Sequence, residues 1–182
     1  MRRAVAALVG ASCAAEPAVA PGLVLDGVDF DGAGWTGHAA TVVLGGDGAV
    51  EARTVTGTLT DTRGGRWSVR AGALRGGPEG WVAEGGVLAT QDALRVEAAE
   101  AEAALGADHR VASVAAAGGV RLSAPGRSGA AAAARWSAAA GTLTLRGDAV
   151  WRVGSDEQRG EVLVVRVPDG VVCADCPPAG GP

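Results

Sequence analysis

Five glycines stand at near-regular intervals along the chain: Gly27, Gly57, Gly85, Gly118 and Gly147, separated by 30, 28, 33 and 29 residues. Around four of them, every second residue leans apolar. Val55-Gly57-Leu59, Trp81-Ala83-Gly85-Val87, Val114-Ala116-Gly118-Val120-Leu122 and Leu143-Leu145-Gly147-Ala149-Trp151-Val153 share one register. A fixed period enclosing a period-2 apolar pattern specifies a repeated β unit. A unit this short cannot bury its apolar face alone, so neighbouring units must share one core.

Turn chemistry separates the strand signals. Thr41–Leu44, Thr54–Thr60, Arg66–Ala73, Trp81–Thr90, Val111–Ser123, Thr142–Val153 and Glu161–Val167 read as strands. Gly45-Gly46-Asp47-Gly48, Arg63-Gly64-Gly65, Gly76-Gly77-Pro78 and Pro125-Gly126 break them. Two tracts conflict with this pattern. Residues 94–105 carry apolar side chains at 94, 98, 101 and 105, and residues 130–140 are nearly all alanine. Propensity alone reads both as helices. Both occupy the place that strand-like Trp67-Ser68-Val69-Arg70-Ala71 holds in another unit, and the repeat therefore predicts strands.

Composition narrows the function classes. The chain has 182 residues and a net charge of −4, and its 16 basic residues are all arginine, scattered along the sequence. That distribution offers no footprint for nucleic acid. No Gly-x-Ser-x-Gly elbow, phosphate-binding glycine loop or metal-binding histidine pair is present, so the expectation is no enzyme, no cofactor and no metal site. Asp26, Asp29 and Asp31 alternate with Val28 and Phe30, which predicts a strand with one polar face rather than a calcium loop.

Residues 1–20 read as an export signal: Arg2 and Arg3, then a short small-residue apolar run. Two processing routes fit it, cleavage after Ala15 or Ala20, or lipidation at Cys13. Both place the mature protein outside the cytoplasm, free or anchored through an acylated Cys13. Residues 21–172 then form one domain, and 173–182 a Cys/Pro/Gly-rich tail. Cys173 and Cys176 form an even pair that an oxidising compartment favours as a short-loop disulfide. The competing reading of this C-x-x-C is a redox site.

The repeated unit reads apolar-x-apolar-x-Gly-x-Val, a turn, an alanine-bearing strand and an aromatic. It is clearest from Ser128-Gly129-Ala130 through Arg135-Trp136-Ser137 to Gly141-Thr142-Leu143-Thr144-Leu145-Arg146-Gly147-Asp148-Ala149-Val150. This resembles the OstA-like periplasmic family of lipopolysaccharide transport (LptC/LptA-like), over roughly residues 21–167. The stretch from Leu23 through Trp35-Thr36-Gly37-His38-Ala39-Ala40 to Val55-Thr56-Gly57-Thr58-Leu59 is most similar to the LptC member. The resemblance implies an all-β, twisted, half-open β-jellyroll of antiparallel strands, with an apolar groove for lipid acyl chains and no catalysis. It implies lipopolysaccharide, other β-jellyroll transport components joined edge to edge, and an inner-membrane transporter complex as partners.

The inward row in the shared register gives the candidate lipid-binding groove: Val69, Trp81, Val87, Val120, Leu122, Leu143, Leu145, Trp151 and Val153. Many intervening positions are small: Ala71, Ala83, Gly85, Ala89, Ala116 and Gly118. Small inward residues leave volume that a ligand can fill. A structural or adhesive β-repeat protein with a filled core is the alternative. The segment 161–167 is long, β-prone and sparsely charged inside. Both a partner-facing edge and a buried central strand fit it.

Overall fold

The computed structural model describes residues 23–32, 34–45, 49–77, 80–166 and 172–174. Residues 1–20, read above as an export signal, and Cys13 and Cys176 lie outside them, and Cys173 enters only as backbone, so the expected disulfide pairing lies outside as well. The described residues form thirteen strands and no helix. These are β1 (Leu23–Gly32), β2 (Trp35–Leu44), β3 (Val50–Thr60), β4 (Arg66–Gly77), β5 (Gly80–Glu84), β6 (Val87–Gln91) and β7 (Leu94–Ala98). Then follow β8 (Glu100–Leu105), β9 (Val111–Ala124), β10 (Arg127–Ser137), β11 (Thr142–Val153), β12 (Asp156–Arg166) and β13 (Val172–Ala174). Residues 94–98, 100–105 and 130–137 are strand, as the repeat requires, while Ala99 interrupts the first tract and 138–140 form the turn into β11.

All thirteen strands belong to one sheet, and every ladder between them is antiparallel. The ladders β4-β5-β8-β9-β7-β6 and back to β4 close a six-strand barrel. β1–β3 extend it from β4, and β10–β13 extend it from β9.

A line of irregularities crosses the sheet. The β1–β2 register skips Gly27 and Ala40, β3–β4 skips Thr54 and Gly72, and β11–β12 shifts between Arg146 and Ala149. The turn Gly85-Gly86 separates β5 from β6, and Ala99 separates β7 from β8; Gly86 N donates to Ala99 O and Ala99 N to Ala117 O, so the strands stay joined there. Bulges of this kind bend strands and raise their twist. They fold the sheet along a crease, so that each long strand contributes to two walls.

Four of the five spaced glycines lie on this crease with φ between +62° and +78°: Gly27, Gly85, Gly118 and Gly147. Gly57 does not. In β3 the crease falls at Thr54, which takes φ +51° despite its branched side chain. Gly57 is a glycine for another reason: a Cβ there would lie 2.7 Å from the Thr36 carbonyl oxygen on β2.

The walls pack face to face on both sides of the crease. The largest core joins Leu143, Leu145, Leu163 and Val165 from one wall to Val120, Leu122, Ala131 and Trp151 from the other. Leu145, Leu163, Val120 and Val165 are fully buried, each stabilising by about 1.5–3 kcal/mol relative to exposure. A smaller core around Ala39, Val42, Ala52 and Val55 does the same between β2 and β3.

The two sheet ends differ. β1 pairs only with β2 and leaves Leu23, Val24 and Leu25 exposed. At the other end, β12 pairs with β11 throughout and with the three-residue β13 through Leu163–Val165. The 161–167 segment therefore has a partner on each flank at its centre, and Val167 lies outside the described residues.

Candidate functional site

Between the walls lies a cavity of about 360 Å³. Its volume falls in the lower part of the range usual for small-molecule sites. Strand alternation builds it. Trp67, Val69 and Ala71 of β4 point inward while Ser68 and Arg70 point out; Leu94, Val96 and Ala98 of β7 do the same against exposed Arg95. From the facing wall come Trp81 and Ala83 of β5, Ala101, Ala103 and Leu105 of β8, and Val114 and Ala116 of β9. Alanines at the centre of both walls leave the gap between them unfilled.

No Asp, Glu or Arg lines the cavity; His109, at the β8–β9 turn, is its only titratable lining residue among those described. Among the described residues, no group of three or more His, Cys, Asp or Glu could hold a metal. The lining offers dispersion and apolar burial, and little else.

The lip opposite the crease is built from aromatics. Phe30 lies over Gly37 and stacks on Trp35 at a centroid distance of 4.2 Å, and Trp35 meets Trp81 of the other wall at 4.7 Å. Trp67 and Trp136 meet across the walls edge to face at 5.6 Å. Such pairs add about 0.5–1.5 kcal/mol beyond their burial.

Beside Trp67 sits Asp61, the one buried charged residue among those described, at 3% exposure. Its Oδ1 accepts from Arg63 N at 2.8 Å and Gly65 N at 2.9 Å, and its Oδ2 accepts from Trp67 Nε1 at 3.2 Å. This loop bridges to the opposite wall: Asp61 pairs in parallel with Val111, and Thr62 N donates to Val111 O at 3.2 Å. It is a backbone clasp between the walls on the lip side.

The nine residues of the inward row separate into three groups. Val69, Trp81, Val87 and Leu143 line the cavity, Leu143 from the edge of the packed core to which it also belongs. Val120, Leu122, Leu145 and Trp151 belong to the packed core beside it, where their own side chains fill the space. Val153, at the end of β11, is 42% exposed. The row omits Trp35, Trp67, Trp136 and Asp61. Trp67 was available to the sequence, since Trp67-Ser68-Val69-Arg70-Ala71 alternates cleanly. Asp61 left no signal, because an acid before Arg-Gly-Gly looks like any turn.

The polar clusters of the outer surface are ordinary. Asp29 Oδ1 and His38 Nδ1 lie 2.8 Å apart on the β1–β2 ladder, and Thr41 donates to Asp26 at 3.2 Å. Asp26 and Asp29 thus serve the polar face of β1. Arg159 and Arg152, hydrogen-bonded to Glu157 at the β11–β12 hairpin, hold its carboxyl below the usual carboxylate range. All three side chains are solvent-facing, where such pairs contribute little.

Compared with known proteins, the chain matches no protein-family profile and no curated protein.

Proposed function

We propose that this protein is a non-catalytic periplasmic carrier or bridge that shelters lipid acyl chains between the walls of a half-open β-jellyroll, in the export of lipopolysaccharide. The observation that carries the reading is the cavity: about 360 Å³, walled by alanine, valine, leucine and tryptophan, with no carboxylate or guanidinium. A sandwich built only to be stable would not leave it, because unfilled core volume costs about 24 cal/mol per Å³. An acyl chain removes that cost and gains about 0.8 kcal/mol per buried methylene. On this reading the crease lets the two walls splay, and the lip between Trp35, Trp81 and the Asp61 clasp is the entrance.

On this reading the exposed Leu23-Val24-Leu25 edge of β1 and the β12–β13 end receive neighbouring β-jellyroll components and the inner-membrane transporter complex. The resemblance to the OstA-like family supplies the cargo. The filled core of β9–β12 is what a purely structural repeat would show throughout, and the test is designed to separate the two.

Photo-crosslinking amino acids at Val69, Trp81 and Leu143, in cells that make lipopolysaccharide, are expected to yield lipopolysaccharide adducts. The same group at Leu145, fully buried in the filled core, is expected to yield none. Absence of adducts from all three cavity positions, with the protein folded and exported, would sink lipid carriage.

A further inference from the structure

Along the sheet, the main cavity stops against packed side chains at both ends. On the β10–β12 side it meets the largest core, where Leu145, Leu163, Val120 and Val165 are fully buried. Leu143 belongs both to that core and to the cavity lining, so it marks the boundary. On the β2–β3 side the cavity meets the smaller core of Ala39, Val42, Ala52 and Val55. There Val55 is the shared residue, with Phe30 and Leu74 packed against the core while they line the cavity.

The other two sides are bounded as well. At the crease the strands stay joined by the bonds through Gly86 and Ala99. Across the lip the walls touch at Trp35–Trp81, at Trp67–Trp136 and at the Asp61–Val111 bridge. The space is a chamber of limited extent, not a trough that runs through the molecule.

Its volume sets how much hydrocarbon it holds. An apolar cavity of about 150 Å³ lined by leucine, isoleucine and phenylalanine takes up one benzene, about six carbons. On that scale a chamber of about 360 Å³ holds about fourteen carbons. We infer that the chamber takes one acyl chain of about that length per protein, with the head of the lipid left outside the lip. The inference rests on the acyl-chain reading above and narrows its cargo: a lipid presents a single chain to this protein, and a lipid of several long chains does not enter whole. It also makes the protein a one-chain carrier rather than a length of continuous conduit, because the filled cores at both ends leave a chain no way through.

The test uses the full chain and a lysophosphatidylcholine series with one head and one saturated chain: decanoyl, dodecanoyl, myristoyl, palmitoyl and stearoyl. Each is kept below its aggregation threshold and competes with a fluorescent acyl-chain probe. A buried methylene is worth about fourfold in affinity. Affinity is therefore expected to rise about tenfold or more per two-carbon step up to myristoyl. Carbons beyond the chamber stay in water, so stearoyl is expected to bind within about threefold of myristoyl. Native mass spectrometry is expected to show one lipid per protein at saturation. Leu143→Ala opens the chamber into the β10–β12 core and is expected to move the plateau to a longer chain. The wild-type series decides the matter even if Leu143→Ala does not fold. Affinity that climbs steadily through stearoyl, or two or more lipids per protein, overturns this inference and leaves the acyl-chain reading standing. A plateau that stays at myristoyl in a folded Leu143→Ala overturns it too. Failure of every member of the series to bind overturns the acyl-chain reading and this inference with it.

Discussion

Gly118→Val is expected to destabilise the protein by about 3 kcal/mol, read as a lower urea midpoint with an unchanged slope. Two costs combine. Gly118 sits at φ +78°, a region that costs an L-residue about 1–2 kcal/mol and a branched one more. A Cβ there would also stand 2.5 Å from Ala99 Cβ, and overpacking of this kind adds about 1–3 kcal/mol. Gly119→Val separates the terms: its φ is +86°, but nothing lies within 4 Å of its Cβ. That variant carries the backbone strain without the clash, so it is expected to lose about half as much. If Gly118→Val unfolds at the wild-type urea concentration, the crease is not where this chain needs glycine.

Asp61→Ala is expected to cost a similar amount, about 3 kcal/mol, and to loosen the lip. The substitution leaves three donors without their acceptor: Arg63 N, Gly65 N and Trp67 Nε1. Each unsatisfied buried donor costs about 1–3 kcal/mol; water reaching the opened loop recovers part of this. Because the same loop carries the bridge to Val111, hydrogen exchange at the Thr62 amide reports the second effect. In the wild type that amide is bonded to Val111 O; in Asp61→Ala it is expected to exchange at least tenfold faster. Asp61→Asn keeps one acceptor oxygen but turns an N–H₂ toward a cluster of donors, so it falls between. An Asp61→Ala protein with wild-type stability and wild-type exchange at Thr62 would show that the clasp does not hold the walls.

The crease also explains what the sequence disclosed. Where a strand crosses it with two residues in left-handed conformation, as at Gly85-Gly86, Gly118-Gly119 and Gly147-Asp148, inward positions step by four and their parity survives. Ala83 to Val87, Ala116 to Val120 and Leu145 to Ala149 are such steps, all buried at both ends. A period-2 reading therefore runs straight through these glycines. In the strands between, the step is three: Val55 follows Ala52, Ala101 follows Ala98, and Ala134 follows Ala131. A three-residue step within a period-2 pattern places apolar residues at 94, 98, 101 and 105, the spacing of a helix face. The helix-like signal was thus two half-strands meeting at a bulge.

The cavity residues were legible only in part, for a related reason. Alternation says which residues face inward, not whether the opposing wall reaches them. Leu145 and Val69 look alike in sequence. Leu145 meets Leu163, Val165 and Val120 in a filled core, whereas Val69 faces a wall carrying Ala101, Ala103 and Ala116 across the gap. Closure of the β4-β5-β8-β9-β7-β6 ring and the Asp61 clasp depend on pairings between distant segments, which no local pattern encodes.

The central claim is that the space between the walls is held open for an apolar chain, and Ala101→Phe tests it most directly. Ala101 lines the cavity at the edge of two buried clusters, so a phenyl ring added there is expected to take up the unoccupied volume between the walls. Binding of a fluorescent acyl-chain probe is measured beside urea stability of the ligand-free protein. The account predicts that Ala101→Phe is as stable as the wild type or more so, and binds the probe at least tenfold more weakly. A variant that loses several kcal/mol of stability, or one that binds as the wild type does, would contradict it.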